Sequence, residues 1–168
     1  MKKLLSIMIV VLTLVSCSQD VKFNNEAVFQ GVKDNLSWQG GNAKAVLDNN
    51  NNLTISAVTI NETITLKIPM PTTAINPKNK STFVTYTLGT SNSRKASYSI
   101  LTNGILYEYE TGSAVGDGEI VISEYDGVVL SGTFRFNAEN TDAGSEAAPQ
   151  VNFQRGTLYK IPIVPSSI

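Results

Sequence analysis

From Ala27 onward, the apolar residues of this 168-residue chain recur at every second position rather than every third or fourth. A period of two marks extended strands with one buried face, because successive side chains of a strand point to opposite sides. Thr63-Ile64-Thr65-Leu66-Lys67-Ile68 puts Ile64, Leu66 and Ile68 on one face. Leu130, Gly132, Phe134, Phe136 and Ala138 share another, opposite Ser131, Thr133, Arg135 and Asn137. Further runs cover Ala43–Leu47, Leu53–Ile60, Thr82–Leu88, Ala96–Leu101, Ile105–Glu110, Glu119–Tyr125 and Val151–Ile163. They are filled with Val, Ile, Thr, Tyr and Phe, which suit a pleated, half-buried surface. No segment reads as a helix.

The gaps between runs carry turn chemistry. Asp48 to Asn52 separates two runs, and Asn and Asp tolerate left-handed backbone while bonding their own main chain. Asn103-Gly104 and Asp126-Gly127 are strong two-residue hairpin signals, and Asn61-Glu62 is a weaker one without glycine. Leu53–Ile60 changes phase near Ala57-Val58, which suggests a bulge or a strand covered on both faces. Pro69, Pro71 and Pro77 make Pro69 to Ser81 a strand-free loop or edge, and Glu139 to Pro149 reads as a small, polar, flexible loop. Short strands joined in this way predict an all-β fold, a single antiparallel β-sandwich or flattened barrel over residues 27–168.

Ahead of that domain stands a segment of different character. Met1-Lys2-Lys3 precedes an apolar run from Leu4 to Val15, broken only by Ser6 and Thr13. A basic start, a short apolar stretch and a small residue at its end are secretory-signal anatomy. The run is shorter than the roughly 20 residues that a permanent bilayer helix needs. Leu14-Val15-Ser16-Cys17 resembles the bacterial lipobox, whose cysteine thiol receives a diacylglyceryl group and becomes the first residue of the mature protein. The expected organisation is a lipoprotein signal peptide at 1–16, a lipidated Cys17 and tether at 17–26, and the β domain thereafter. Each buried CH₂ of an acyl chain contributes about 0.8 kcal/mol, and more than one chain anchors stably. With Ser18 rather than Asp after the cysteine, the resemblance implies the outer membrane, on its periplasmic or cell-surface side. Cys17 is the sole cysteine, so the exported domain has no disulfide and relies on its core.

Composition narrows the chemistry. Thirteen Lys+Arg stand against 14 Asp+Glu, so the chain lacks the basic footprint of a nucleic-acid binder. It contains no histidine, which removes His-dependent triads and His-containing metal sites. Ser, Thr and Asn number 16 each, matching outward strand positions and turns.

The C-terminal half carries a recognisable order: Gly118-Glu119-Ile120-Val121-Ile122-Ser123, Asp126, Val129-Leu130-Ser131-Gly132-Thr133-Phe134-Arg135-Phe136-Asn137-Ala138, Val151, then Gly156-Thr157-Leu158. It resembles a family of small uncharacterised Bacteroidota lipoproteins, classed as a domain of unknown function, with a Ser-Gly-Thr-Phe-x-Phe strand. Phe29-Gln30, Trp38, Ala43 to Leu47 and Leu53 to Ile55 are compatible with it, so the resemblance covers roughly Ala27 to Ile163. Leu158 departs from it, standing where an aromatic is expected. The resemblance implies location and fold, and transfers no catalytic residue.

Candidate sites are few. Glu108 and Glu110 share one strand face about 7 Å apart, a spacing permissive for glycoside hydrolysis; the plainer expectation is a solvated face with Tyr107 and Tyr109 inward. Asp48-x-Asn50-x-Asn52 imitates the start of a Ca²⁺ loop, but Leu53 replaces the required glycine and the twelfth-position Glu is missing. Asp117 and Glu119 beside Gly116 and Gly118 offer a loose site for one cation, though a glycine-rich turn before a strand suffices to explain them. Trp38 and the tyrosines Tyr86, Tyr98, Tyr107, Tyr109, Tyr125 and Tyr159 form a sugar-stacking platform only if exposed, and core positions are expected for most. There is no Gly-x-Ser-x-Gly elbow and no phosphate loop; a Ser-Lys pair stays open.

Lipidation at Cys17 is therefore the one assigned site, with no catalytic residue, cofactor or metal expected. The functional expectation is a lipid-anchored, non-catalytic binding or interaction module. It would meet the membrane through its lipid and an envelope protein or glycan through a sheet edge or the Pro69–Ser81 loop. One alternative is a lipocalin-like carrier with a cavity lined by Phe134, Phe136, Ile120 and Ile122; another is a carboxylate-dependent glycan hydrolase.

Overall fold

Ten strands form in the computed structural model, which describes residues 26–165. The expected signal peptide, Cys17 and nearly all of the tether lie outside the described residues. The strands are β1 (Val28–Lys33), β2 (Leu36–Leu47), β3 (Asn52–Val58), β4 (Glu62–Pro69), β5 (Val84–Leu88), β6 (Lys95–Thr102), β7 (Ile105–Glu110), β8 (Asp117–Tyr125), β9 (Val129–Asn140) and β10 (Gln150–Pro165). Pairing runs β1–β2–β3–β4–β6–β7–β9–β10 and returns from β10 to β1, so eight strands close a ring, while β8 and β5 continue from β9. The expected all-β architecture holds in barrel form. Its one non-antiparallel element is the end of β10, where Ile163 to Pro165 run parallel to Ala45 to Leu47 and make the sheet mixed.

The turns follow residue chemistry. Asn103 (φ 52°) and Gly104 (φ 80°) both adopt the left-handed backbone of a tight hairpin. Asp34 (φ 47°) and Asn35 (φ 68°) do the same between β1 and β2, although their lack of glycine kept that hairpin, and β1 itself, out of the sequence expectation. The bulge expected near Ala57-Val58 sits instead on the partner strand: the β2–β3 register slips between Gly41 and Lys44, and Asn42 has φ 52°. Within β3, Leu53, Ile55 and Ala57 all point inward and are fully buried.

Strands β5 and β6 pair with β8 and β7 respectively. Together they make one long hairpin folded at Asn103-Gly104 and interrupted midway by residues 89–94 and 111–116. Thr111 sits in that interruption, fully buried, and its hydroxyl accepts a hydrogen bond from the Ala96 N–H at 3.0 Å. Thr111→Val keeps the shape and strands that N–H, which should cost about 1–2 kcal/mol in urea unfolding; an unchanged midpoint would show that the bond contributes nothing.

Strands β4 and β5 do not pair. Pro69 and Pro71 donate no backbone bond there, and the Pro-rich loop crosses the seam, as expected, without a strand beyond a 3-10 turn at Lys80–Thr82. Ile75, buried to 3% exposure, bridges to Tyr125, while Met70 and Phe83 lean on the core.

The interior is packed with rings. Phe29 meets Phe134 at 5.1 Å and Trp38 at 5.8 Å, Phe136 stacks on Phe153 at 4.7 Å, and Tyr98 lies 5.5 Å from Phe153. Such pairs add about 0.5–1.5 kcal/mol each beyond their buried area. Antiparallel order places the β1–β2, β3–β4 and β6–β7 turns at one end of the barrel. The chain enters β1 and leaves β10 at the other.

Candidate functional site

Two polar arrangements arise where strands bring distant residues together. At the turn end, Lys33 from β1 and Glu62 from β4 form an ion pair, both largely buried. Tyr98 OH donates to Glu62 Oε1 at 2.6 Å, Trp38 Nε1 donates to Oε2 at 2.7 Å, and Lys33 Nζ reaches Tyr98 OH at 2.7 Å and sits 4.8 Å from its ring centre. Burial alone would raise the Glu62 pKa, but the bonds from Lys33, Tyr98 and Trp38 outweigh it and hold the carboxylate below its ordinary value. Burial, with the Glu62 bond behind it, pushes the Tyr98 phenol well above the usual tyrosine range. Lys33, Tyr98 and Trp38 all donate within the cluster, which braces the barrel mouth. Sequence reading singled out Trp38 and Tyr98 as aromatics but missed Lys33 and Glu62.

The second arrangement lies on β10. This strand carries two extra residues, and its register slips against β9 between Phe153 and Gly156 and again between Leu158 and Ile161. Each slip pushes a cationic residue outward in left-handed backbone, Arg155 (φ 52°) and Lys160 (φ 49°). Lys160 is partnered: its Nζ pairs with Glu124 Oε1 at 2.5 Å, and its N–H donates to Ser131 Oγ at 3.1 Å. Ser131 in turn donates to Glu124 Oε2 at 2.8 Å. The Lys160 bond, then that from Ser131, holds the Glu124 carboxyl below its ordinary value. Ser131 and Lys160 thus meet only through the Lys160 backbone N–H, while the Lys160 ammonium is held by Glu124. Ser131 is 7% exposed with its hydroxyl spent on Glu124, so it presents no nucleophile.

Arg155 differs. It is exposed, and among the described residues no carboxylate pairs with it. Three hollows of the outer wall meet at it. One of 420 Å³ is lined by Gln30, Ser37, Trp38 and Gln39; one of 480 Å³ by Asn35, Asn152 and Gln154; one of 320 Å³ by Thr133, Arg135, Glu119 and Thr157. All three are shallow and open to solvent rather than enclosed. The wall is thin there because two glycines face each other: a Cβ on Gly31 would lie 3.3 Å from the Gly156 Cα, and one on Gly156 would lie 2.5 Å from the Phe134 ring.

The residues singled out from sequence lie elsewhere or inside. Glu108 and Glu110 share the outer face of β7 while Tyr109 points inward, as expected; Glu110 pairs with Lys95 at 2.5 Å. They border a 240 Å³ hollow with Thr63, Thr65, Ser97 and Ser99. Asp48 folds back on its own turn, accepting from the Asn50 and Asn52 N–H groups at 2.8 Å each. Asp117 accepts from Asn137 at 2.8 Å and Glu119 pairs with Arg135 at 3.1 Å. Among the described residues no three His, Cys, Asp or Glu converge to hold a metal. Trp38, Tyr86, Tyr98 and Tyr109 are buried and only Tyr159 is strongly exposed, so the aromatics build no stacking platform. Phe134, Phe136, Ile120 and Ile122 each expose 2% or less, so the residues expected to line a cavity are packed into the core instead.

Fold and site together define a small β-barrel domain with an aromatic-rich core, a part-buried polar cluster at its mouth and an exposed Arg155 on its outer wall. Within that class, the chain belongs to the family described as a domain of unknown function, DUF6252, whose model matches residues 25–162. No curated protein and no solved structure matches it.

Proposed function

We propose that this chain is a cell-envelope lipoprotein of the Bacteroidota type, held to the outer membrane by acyl chains on Cys17, whose barrel is a non-catalytic binding module. The observation that carries the binding reading is the filled interior. With Phe134, Phe136, Ile120 and Ile122 sealed in the core, a carrier in the lipocalin manner has no space for cargo, and recognition falls to the outer wall. The absence of histidine, the locked Ser131 and the Lys95-paired Glu110 favour binding over hydrolysis.

The anchoring half rests on Leu14-Val15-Ser16-Cys17. From Cys17 the tether reaches β1 in about ten residues, roughly 35 Å when extended, enough to hold the barrel clear of lipid headgroups. In cells fed a radiolabelled fatty acid, the wild-type chain should carry label and sediment with membranes. Cys17→Ser should lose the label entirely and keep the longer, unprocessed form. Equal labelling of the two would overturn the lipid anchor while leaving the barrel's role untouched.

A further inference from the structure

We infer that the outer-wall hollow around Arg155 is a binding site for a carboxylate-bearing saccharide. The inference rests on the binding reading above and gives it a ligand class.

The first argument compares the two bulges of β10. Both force a non-glycine residue into left-handed backbone, a conformation that disfavours an L side chain and persists where something else over-determines it. At Lys160 the return is visible within the fold, in the bonds to Glu124 and Ser131. At Arg155 no such bond to a described residue is present, although the same device delivers a guanidinium to the meeting point of three hollows. A planar guanidinium offers paired N–H donors that match the two oxygens of a carboxylate, a bond about twice as strong as a neutral one.

The second argument is the surroundings. Gln30 and Gln39 face each other across the β1–β2 pairing, and Gln154 precedes Arg155 on β10, while Asn152 in the same hollow is already bonded to Asn137. Each amide carries both donor and acceptor atoms, which is what a ring of hydroxyls requires, since every sugar hydroxyl both gives and takes a hydrogen bond. A phosphopeptide site would instead gather several cations. Here the other cation, Arg135, is already held by Glu119 at 3.1 Å.

The test uses the full-length chain in detergent micelles, titrated with oligogalacturonic acid and with the same oligosaccharide after its carboxylates are reduced to alcohols. The acidic form should bind and the reduced form should bind about tenfold more weakly or not at all, the fold-change expected for losing one charge-assisted contact. Arg155→Gly should remove the preference. It also relieves the left-handed strain, so its melting temperature should equal or exceed that of wild type, which separates lost recognition from lost folding. Lys78→Ala, an exposed cation on the Pro-rich loop, should change nothing. Equal affinity for both oligosaccharides, no binding of either, or undiminished binding by Arg155→Gly would each overturn the inference. Recovery of a protein partner from crosslinked intact cells would then still support a binding module, so the two readings fail separately.

Discussion

Gly132→Ala is expected to destabilise the barrel by about 3 kcal/mol or more, at the upper end of overpacking effects, and to lower its melting temperature by roughly 10 °C. Gly132 lies in β9 opposite Ile122, next to the register slip of β8 between Ile122 and Glu124. A Cβ at this position would stand 2.2 Å from the Val121 carbonyl oxygen, 3.1 Å from its carbonyl carbon and 3.2 Å from the Ile122 Cα. All three are backbone atoms, so no rotamer change relieves the clash and a strand must move. That movement would disturb Phe134 and Leu130 on the same face, both at the centre of the core. Gly144→Ala is the matched control: its nearest neighbour would be an Asp142 side-chain oxygen at 3.4 Å, an ordinary contact. Thermal melts followed by circular dichroism decide the point. If the two variants melt together, the close approach of β8 and β9 is not a constraint.

Glu62→Ala should be nearly as damaging, at about 3 kcal/mol, because it strands three donors rather than removing one bond. Lys33 loses its counter-charge, and Tyr98 OH and Trp38 Nε1 lose their acceptor, in a place where water reaches only a small part of each side chain. The effect carries a pH signature. The folded-state pKa of Glu62 lies below its ordinary value of 4.5, so below pH 4.5 the unfolded chain binds the proton more readily than the folded one. The stabilisation is complete above that pH and is lost as pH falls through the folded-state pKa. Urea unfolding of both proteins at pH 7 and pH 3 should therefore show a large gap that narrows on acidification. A gap under about 0.5 kcal/mol at pH 7, the scatter of ordinary surface substitutions, would refute the bracing role; a pH-independent gap would refute its electrostatic origin.

The sequence was most readable where one strand kept one phase. Ile64, Leu66 and Ile68 alternate without interruption, and Leu130 to Ala138 does the same; both stretches are strands buried as expected. Legibility failed where glycine or an extra residue broke the phase. Strand β1 is only six residues, Val-Phe-Gln-Gly-Val-Lys, and on the face of the buried Phe29 the alternate positions are Gly31 and Lys33, so its alternation shows one apolar residue. In β10 the inward residues are Val151, Phe153, Gly156, Leu158 and Ile161, steps of two and three in turn. That uneven spacing is a signal in the sequence, and it marks Arg155 and Lys160 as the insertions. Lys33 and Glu62 could not be paired in advance, because 29 residues separate them and only ring closure brings β1 beside the start of β4.

The double attachment of β10 sets the order in which the barrel can be completed. This strand is the last barrel element to be synthesised, yet it supplies the partner of the first: Asn152 bonds Asp34 across 118 residues of chain. Until it arrives, β1 has one free edge and β9 another, so every earlier intermediate is an open sheet with two unpaired margins. Long-range closure of this kind is slow because its loop entropy is lost before any contact repays it. A stop codon anywhere inside β10 would leave the β1 and β9 edges unpaired, two margins open to edge-to-edge association with another chain.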